Sequence, residues 1–273
     1  MRRSASTTRA EGAPVHWSEA GIVLAVRRHG ESALVAHLMT RSHGYHAGLV
    51  HGGQGRRGRT VFQVGNAVQV SWRARLEDQL GTYAGELLEG HAARVIEDPL
   101  RLGCLAAAAA MAAAALPERE PHPNAYDGFS ALLDALDHDA GWATSYARWE
   151  LDLLAELGFG LDLVRCAATG VNEDLIYVSP KSGQAVSRSA GEPYRRQLLP
   201  LPAFLRDAAL IGVEAPRAEV LDALRLTGFF WERRVFQPHG RKMPSARTRF
   251  IDRLGRDTTV SGSVGPTLTA SDP

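Results

Sequence analysis

Apolar and polar residues alternate along the first ninety or so positions, and the period changes afterwards. Ile22, Leu24 and Val26 fall on one face of an extended chain, as do Leu34, Ala36 and Leu38 in the next run. Alternation with a period of two marks a strand with one buried face. His29-Gly30-Glu31 between these runs predicts a tight turn, with glycine free to adopt a positive φ. A third run, Gly44 to His51, predicts another strand, and Asn66 to Arg75 a fourth with Val68, Val70 and Trp72 on one side. Residues 80–96 carry a weaker fifth pattern. Five short strands in this space predict a small β-barrel of the oligonucleotide/oligosaccharide-binding (OB) type over residues 16–97.

Beyond residue 97 the helical period takes over. Asp98-Pro99 predicts a helix start, with an acidic N-cap and proline at the first helical position. The run LGCLAAAAAMAAAALPE then predicts a close-packed interior helix. Its apolar stretch from Leu102 to Leu116 is shorter than the roughly 20 residues of a membrane span, so no membrane association is expected. Further helices are expected over Asn124–Asp137, over residues 144–157 with Gly158 as C-cap, over Phe204–Ala209, and after Pro216. Residues 166–194 lose the helical period and predict a small hairpin around Ser182-Gly183. Residues 238–253 read as a basic segment broken by Pro238, Gly240 and Pro244. The expected class is α+β, with the helical part at 98–253 and disordered tails at 1–15 and 254–273.

The overall charge of +1 hides a strong segregation. Residues 1–75 hold eleven arginines against three glutamates, and residues 76–164 hold four arginines against sixteen acids. Residues 225–253 turn basic again, with seven arginines and Lys242 against Glu232 and Asp252. This layout predicts a polyanionic partner for the ends of the chain. Two distant cysteines, Cys104 and Cys166, make no disulfide framework, so a reducing cytoplasm is expected. The N-terminus has no continuous apolar core and so no secretory signal. Its Arg-, Ser- and Thr-rich composition fits a disordered tail or a misassigned start, and also has some of the character of a transit peptide.

The candidate chemistry centres on Gly52-Gly53-Gln54-Gly55-Arg56-Arg57-Gly58-Arg59, which predicts a loop able to bring backbone amides and guanidinium groups to phosphates. It is not a Walker loop, because no Gly-Lys-Ser/Thr follows. Arg56, Arg57 and Arg59, with Arg27, Arg28 and Arg73, are the candidate nucleic-acid contacts. Tyr45, Phe62, Trp72 and Tyr83 are available either for base stacking or for the core. His37, His43, His46 and His51 offer a rival reading as a metal-dependent nucleic-acid hydrolase, though Glu31 is the only acid between Glu19 and Glu77. A third reading is a protein-interaction scaffold that binds no DNA. The basic set Arg233, Arg234, Arg241, Lys242, Arg247 and Arg249 forms either a second polyanion surface or ion pairs to the acidic middle. No nucleophile–base or nucleotide motif is present, so neither an enzyme nor a cofactor is expected.

Several motifs together resemble the bacterial recombination and repair family RecO. They are W-x-E-x-G-I-V-L from Trp17, Gly30-Glu31, L-x-T-x-x-x-G ending at Gly44, V-x-G-G from Val50, and RWELDLLAELGFGLDLVRCAATG from Arg148 to Gly170. The resemblance implies an N-terminal OB barrel followed by a helical domain. It implies a non-enzymatic mediator, cytoplasmic and nucleoid-associated, that binds single- and double-stranded DNA and anneals complementary strands. It also implies RecR and the C-terminal tail of single-stranded DNA-binding protein as partners, and help in loading RecA recombinase. Many family members carry a four-cysteine zinc site in the middle hairpin. This chain keeps only Cys166, with Thr169 at the second knuckle position, so a knuckle-like hairpin without metal is expected. An acidic, hydrophobic-ended tail calls for an apolar groove with arginines. Arg195, Arg196, Arg206 and Phe204, around Leu198 and Leu201, are the candidates.

Overall fold

The computed structural model describes residues 15–210 and 212–256. Most of both expected tails therefore lies outside the described residues, although residues 254–256 belong to the last helix. The N-terminal strands are β1 (Val15–His29), β2 (Ala33–Thr40), β3 (Gly44–Val50), β4 (Ala67–Ala74) and β5 (Thr82–Glu89). They close into a barrel in the order β1-β2-β3-β5-β4. One long strand makes closure possible. The first half of β1 pairs with β4, its second half pairs with β2, and a register shift between Val23 and Ala25 lets it bend from one neighbour to the other. A parallel contact of Leu49 with Thr82 closes the seam between β3 and β5.

The alternation of β2 and β4 matches burial: Leu34, Ala36, Leu38, Val68, Val70 and Trp72 fill the barrel. In β1 the expected face is shared differently. Val23 points into the barrel, whereas Ile22 and Leu24 lie under the helices and Val26 is exposed. The middle of this strand, residues 21–24, is buried on both faces because the helical part covers its outer side. Met39 and Tyr45 join that outer layer.

The short α2 (His91–Arg94) leads from the barrel to α3 (Pro99–Ala115). The Asp98 carboxylate accepts from the amides of Leu100 and Arg101, as an N-cap should. The alanines of α3 let it approach closely both β1 and α8 (Ser245–Arg256). The antiparallel-sheet hairpin of β6 (Leu175–Val178) and β7 (Ala185–Ser187) follows α4 (Pro123–His138) and α5 (Trp142–Glu156). Gly158, just past α5, has a φ of +83° and ends that helix. A third strand, β8 (Leu199–Pro200), adds to β6 and was not expected from the sequence. It follows the one-turn α6 (Arg188–Gly191). In place of the helix expected over Phe204–Ala209 there are two short 3-10 turns, Ala203–Leu205 and Ala208–Leu210. Then α7 (Arg217–Phe230) runs on into a wider π turn, Trp231–Phe236. No helix among the described residues is long and apolar enough to cross a membrane.

The helix α8 corrects the reading of residues 238–253 as a broken basic segment. Phe250 and Leu254 anchor it, and Arg247 is buried with them. The Arg247 guanidinium donates to both carboxylate oxygens of the buried Glu150, at 2.6 and 2.8 Å. Tyr146 and Thr227 hydroxyls donate to the same carboxylate. Burial opposes the Arg247 charge, but the Glu150 carboxylate outweighs it and holds the guanidinium above its ordinary range. Around Cys166, the amide of Ser187 donates to Sγ at 3.3 Å. Burial works against the thiolate there, yet hydrogen bonds from Ser187, Thr169 and Ala168 draw the thiol down to about 6.

Candidate nucleic-acid interface

The glycine–arginine stretch is not an open loop. Residues Arg56–Val61 form a single short helix, α1, at one end of the barrel. Glycines make that possible. A Cβ on Gly58 would stand 2.5 Å from Gly53 Cα and from the Gly53 carbonyl oxygen, so the helix folds back flush on its own approach. Gly52, at φ +66°, makes the turn. The glycines thus serve packing, where the sequence reading had them cradling phosphate.

Both ends of α1 are fixed. Val61 and Phe62 are buried in the barrel core. The side-chain amide of Asn66 donates to the carbonyls of Thr60 and Val61. On the other side, Gln54 donates through its side chain to Gly30 O and Ala33 O, at 3.0 and 2.7 Å. This ties the approach to the β1–β2 turn. Neither Gln54 nor Asn66 was a candidate from sequence. A lone amide carries no local signal: the partners of Gln54 lie more than twenty residues away, and those of Asn66, five and six residues back, are backbone carbonyls that no side-chain pattern marks.

Arg57 and Arg59 are two residues apart on a helix, so they point to nearly opposite sides. Each lines a different cleft. The larger, of about 670 Å³, runs along the barrel wall between Arg57 and Arg73, with His51, Ser71, Thr82 and a floor of Phe62 and Tyr83. The smaller, of about 350 Å³, is bounded by Arg27, Arg28 and Arg59 over Val26, Leu34 and Gln54. Five of the six candidate arginines therefore gather on two adjoining clefts, one on each side of α1. Arg56 is exposed at the start of α1 and lines neither. The clefts differ in charge. Two arginines line the larger and three the smaller, and the lining of neither includes an acid; beside the larger, Arg57 has Glu86 at 3.9 Å, a loose and solvent-screened pair. Arg41 is turned away from this surface and forms a bidentate pair with Asp127.

The four candidate aromatics, Tyr45, Phe62, Trp72 and Tyr83, are all buried and belong to the core. The four histidines do not converge. His37 lies on the outer wall beside Tyr45, and burial lowers its pKa. His43 stacks on Trp17 at 4.1 Å and pairs with Glu19 at 2.7 Å. His46 is inside the barrel against Trp72, and burial, with the charge of Arg119, pushes it down to about 4. His51 borders the larger cleft. Among the described residues, the group of three potential metal ligands that does converge, Glu89, His91 and Asp134, includes none of them. The hydrolase reading thus loses the shared site it was based on.

The candidates for an acidic tail are dispersed as well. Phe204 is buried. Arg206 donates to the carbonyls of Leu163, Leu175 and Asn172, and Arg195 pairs with Glu192. Arg196 is exposed. The groove beside them, floored by Pro200, Leu201 and Pro202, carries Asp207, Glu219 and Asp222 against Arg206. In the C-terminal basic set, Arg247 pairs internally with Glu150, Arg234 donates to three backbone carbonyls, and Arg241 donates to Ala114 O.

Residues 15–91 match the family model "Recombination protein O N terminal", and residues 96–243 match "Recombination protein O C terminal". A "DNA repair protein RecO" of Rhodospirillum centenum is 53% identical over 250 residues, covering 91% of this chain and 98% of that protein. The protein of the same name from Rhodospirillum rubrum is 49% identical over 247 residues, covering 89% and 97%. That of Mesorhizobium japonicum is 46% identical over 240 residues, covering 88% and 94%.

Proposed function

The chain belongs to the RecO family of DNA repair proteins, and from that premise we propose that it is a DNA-binding recombination mediator whose barrel grips the phosphate backbone along the two arginine clefts. It binds single- and double-stranded DNA, anneals complementary strands, and helps RecA recombinase onto strands coated by single-stranded DNA-binding protein. Its protein partners are RecR and the tail of that coating protein. It acts in the cytoplasm, at the nucleoid, and as a binding protein without catalysis. The barrel over residues 16–97 takes the DNA, and the helical part over 98–253 mainly contacts proteins.

The observation that carries this reading is the convergence of Arg27, Arg28, Arg57, Arg59 and Arg73 beside α1. Guanidinium groups with few acids nearby are what a polyanion requires. An OB-type barrel is supported by five strands closed in the order β1-β2-β3-β5-β4. If about five arginines engage single-stranded phosphates, log affinity falls with log salt at a slope of about −3.5. Replacing Arg56, Arg57 and Arg59 together with alanine flattens that slope by about 2 if each meets a phosphate. An unchanged slope in the triple variant removes α1 from the contact surface.

A further inference from the structure

Where the chain leaves the barrel, Glu89 at the end of β5, His91 in α2 and Asp134 in α4 come together. One ligand-capable atom from each lies within 4.8 Å of the other two. The imidazole is buried and the two carboxylates are exposed. His91 Nδ1 is 2.7 Å from Oδ2 of Asp137, whose side chain is only 1% exposed. A carboxylate can only accept, so in a neutral ring Nδ1 holds the proton and Nε2 keeps its lone pair. Nε2 lies 3.8 Å from Glu89 Oε2, beyond hydrogen-bond reach. A lone pair beside carboxylates is repulsive unless a positive charge lies between them. Among the described residues, Glu89, Asp134 and Asp137 meet here against the guanidinium of Arg94, which bonds Asp137 and Glu89. Asp137 Oδ1 is itself buried without a hydrogen-bond partner. The junction is thus short of positive charge.

We propose that Glu89, His91 and Asp134 bind a divalent transition-metal ion of the zinc class, which clasps the end of the barrel to α4. The donor set, one imidazole and two carboxylates with a fourth position for water, suits such an ion. Metal–ligand bonds of about 2.1 Å place tetrahedral ligand atoms about 3.4 Å apart. The exposed carboxylates reach that spacing by side-chain rotation, while Arg94 releases Glu89 and keeps Asp137. Asp137 then orients the ligating imidazole from behind.

The test uses the full chain, stripped of metal and titrated with zinc chloride against a chromophoric chelator, with thermal unfolding in parallel. The wild type should take up one equivalent, and its Tm should rise by roughly 5 °C at a hundredfold excess over Kd. Asp134→Asn and Glu89→Gln remove exposed groups, so folding should survive, as circular dichroism will report. Each should weaken uptake at least tenfold and cut the Tm shift at the same zinc concentration to about half or less, whereas Cys166→Ser should keep both. Three results overturn the site: uptake unchanged in both carboxylate variants, uptake lost in Cys166→Ser, or no stoichiometric uptake by the wild type.

Discussion

The barrel and the helical part use arginine in opposite ways. At the rim of the barrel, Arg27, Arg28, Arg57, Arg59 and Arg73 are exposed and gather on two clefts, with Glu86 as a distant counter-charge to Arg57. In the helical part, the arginines that matter most to the fold are taken up by the chain's own acceptors. Arg247 is locked on Glu150 in the core, Arg206 and Arg234 each donate to three backbone carbonyls, and Arg253 donates to Pro99 O. The comparison teaches that a run of basic residues in a sequence is not yet a basic surface. What separates the two cases is whether an acid or an orphaned carbonyl stands within reach once the chain has folded.

The contrast breaks most forcefully in the helical core. Arg247→Met strands the Glu150 carboxylate, and Glu150→Gln strands the guanidinium, in a site where both side chains are nearly inaccessible. Removing one partner of a buried pair costs about 3–5 kcal/mol. Each single variant should therefore lose a large share of its stability in urea unfolding. The double variant Arg247→Met/Glu150→Leu should recover most of that loss, since an apolar replacement of a whole pair is often neutral. Single variants within about 1 kcal/mol of wild type would mean that Arg247 is not a structural residue, and the contrast with the rim would fail.

The rim should respond in the other way, in binding and not in folding. Arg27→Ala/Arg28→Ala/Arg59→Ala empties the smaller cleft of charge, and Arg57→Ala/Arg73→Ala empties the larger. At about 0.7 of salt slope per single-strand phosphate, the triple variant should flatten the dependence by about 2 and the double by about 1.4. The corresponding affinity loss for the triple variant is on the order of 100-fold at 0.1 M salt. Urea midpoints should stay at the wild-type value for both. A fall in stability that tracks the fall in affinity would show that these arginines, too, are structural, and the two regions would then differ only in degree.

How much of this could be read in advance follows from the same distinction between local and distant partners. Leu34, Ala36 and Leu38 announce their strand because burial on a pleated face has a period of two, and Asp98-Pro99 announces its helix because a cap is a local bond. The helix α1 was hidden. Glycine and arginine in succession read as loop, and the close approach of Gly58 to Gly53 is a tertiary fact. The helix α8 was hidden as well. Its buried stripe is Arg247, Phe250 and Leu254, and an arginine counts as polar until Glu150, 97 positions away, is known to face it. The six arginine candidates stand out in the sequence by their scarcity of acidic neighbours. That five of them share two clefts around one helix was not, because the side of α1 that each faces depends on its being a helix at all.

The barrel interior supplies the finest test of the contrast, because it keeps a titratable group neutral where the helical core keeps a charged pair. His46 is packed against Trp72 and Tyr83, and burial moves its pKa from 6.5 to about 4. The unfolded chain therefore takes up this proton before the folded one does. Stability from this residue is complete above about 6.5 and drains away as the pH falls toward 4. Between pH 7.5 and 5.5 the loss is about 1 kcal/mol, read as a shift of the urea midpoint. His46→Gln keeps a hydrogen-bonding group toward Tyr83 and removes the titration, so its midpoint should move less over the same interval by that amount. An equal shift in wild type and variant would place the acid sensitivity outside the barrel. The interior would then be indifferent to protons, and the division of labour between a neutral-cored barrel with a charged rim and a charge-cored helical part would rest on Arg247 and Glu150 alone.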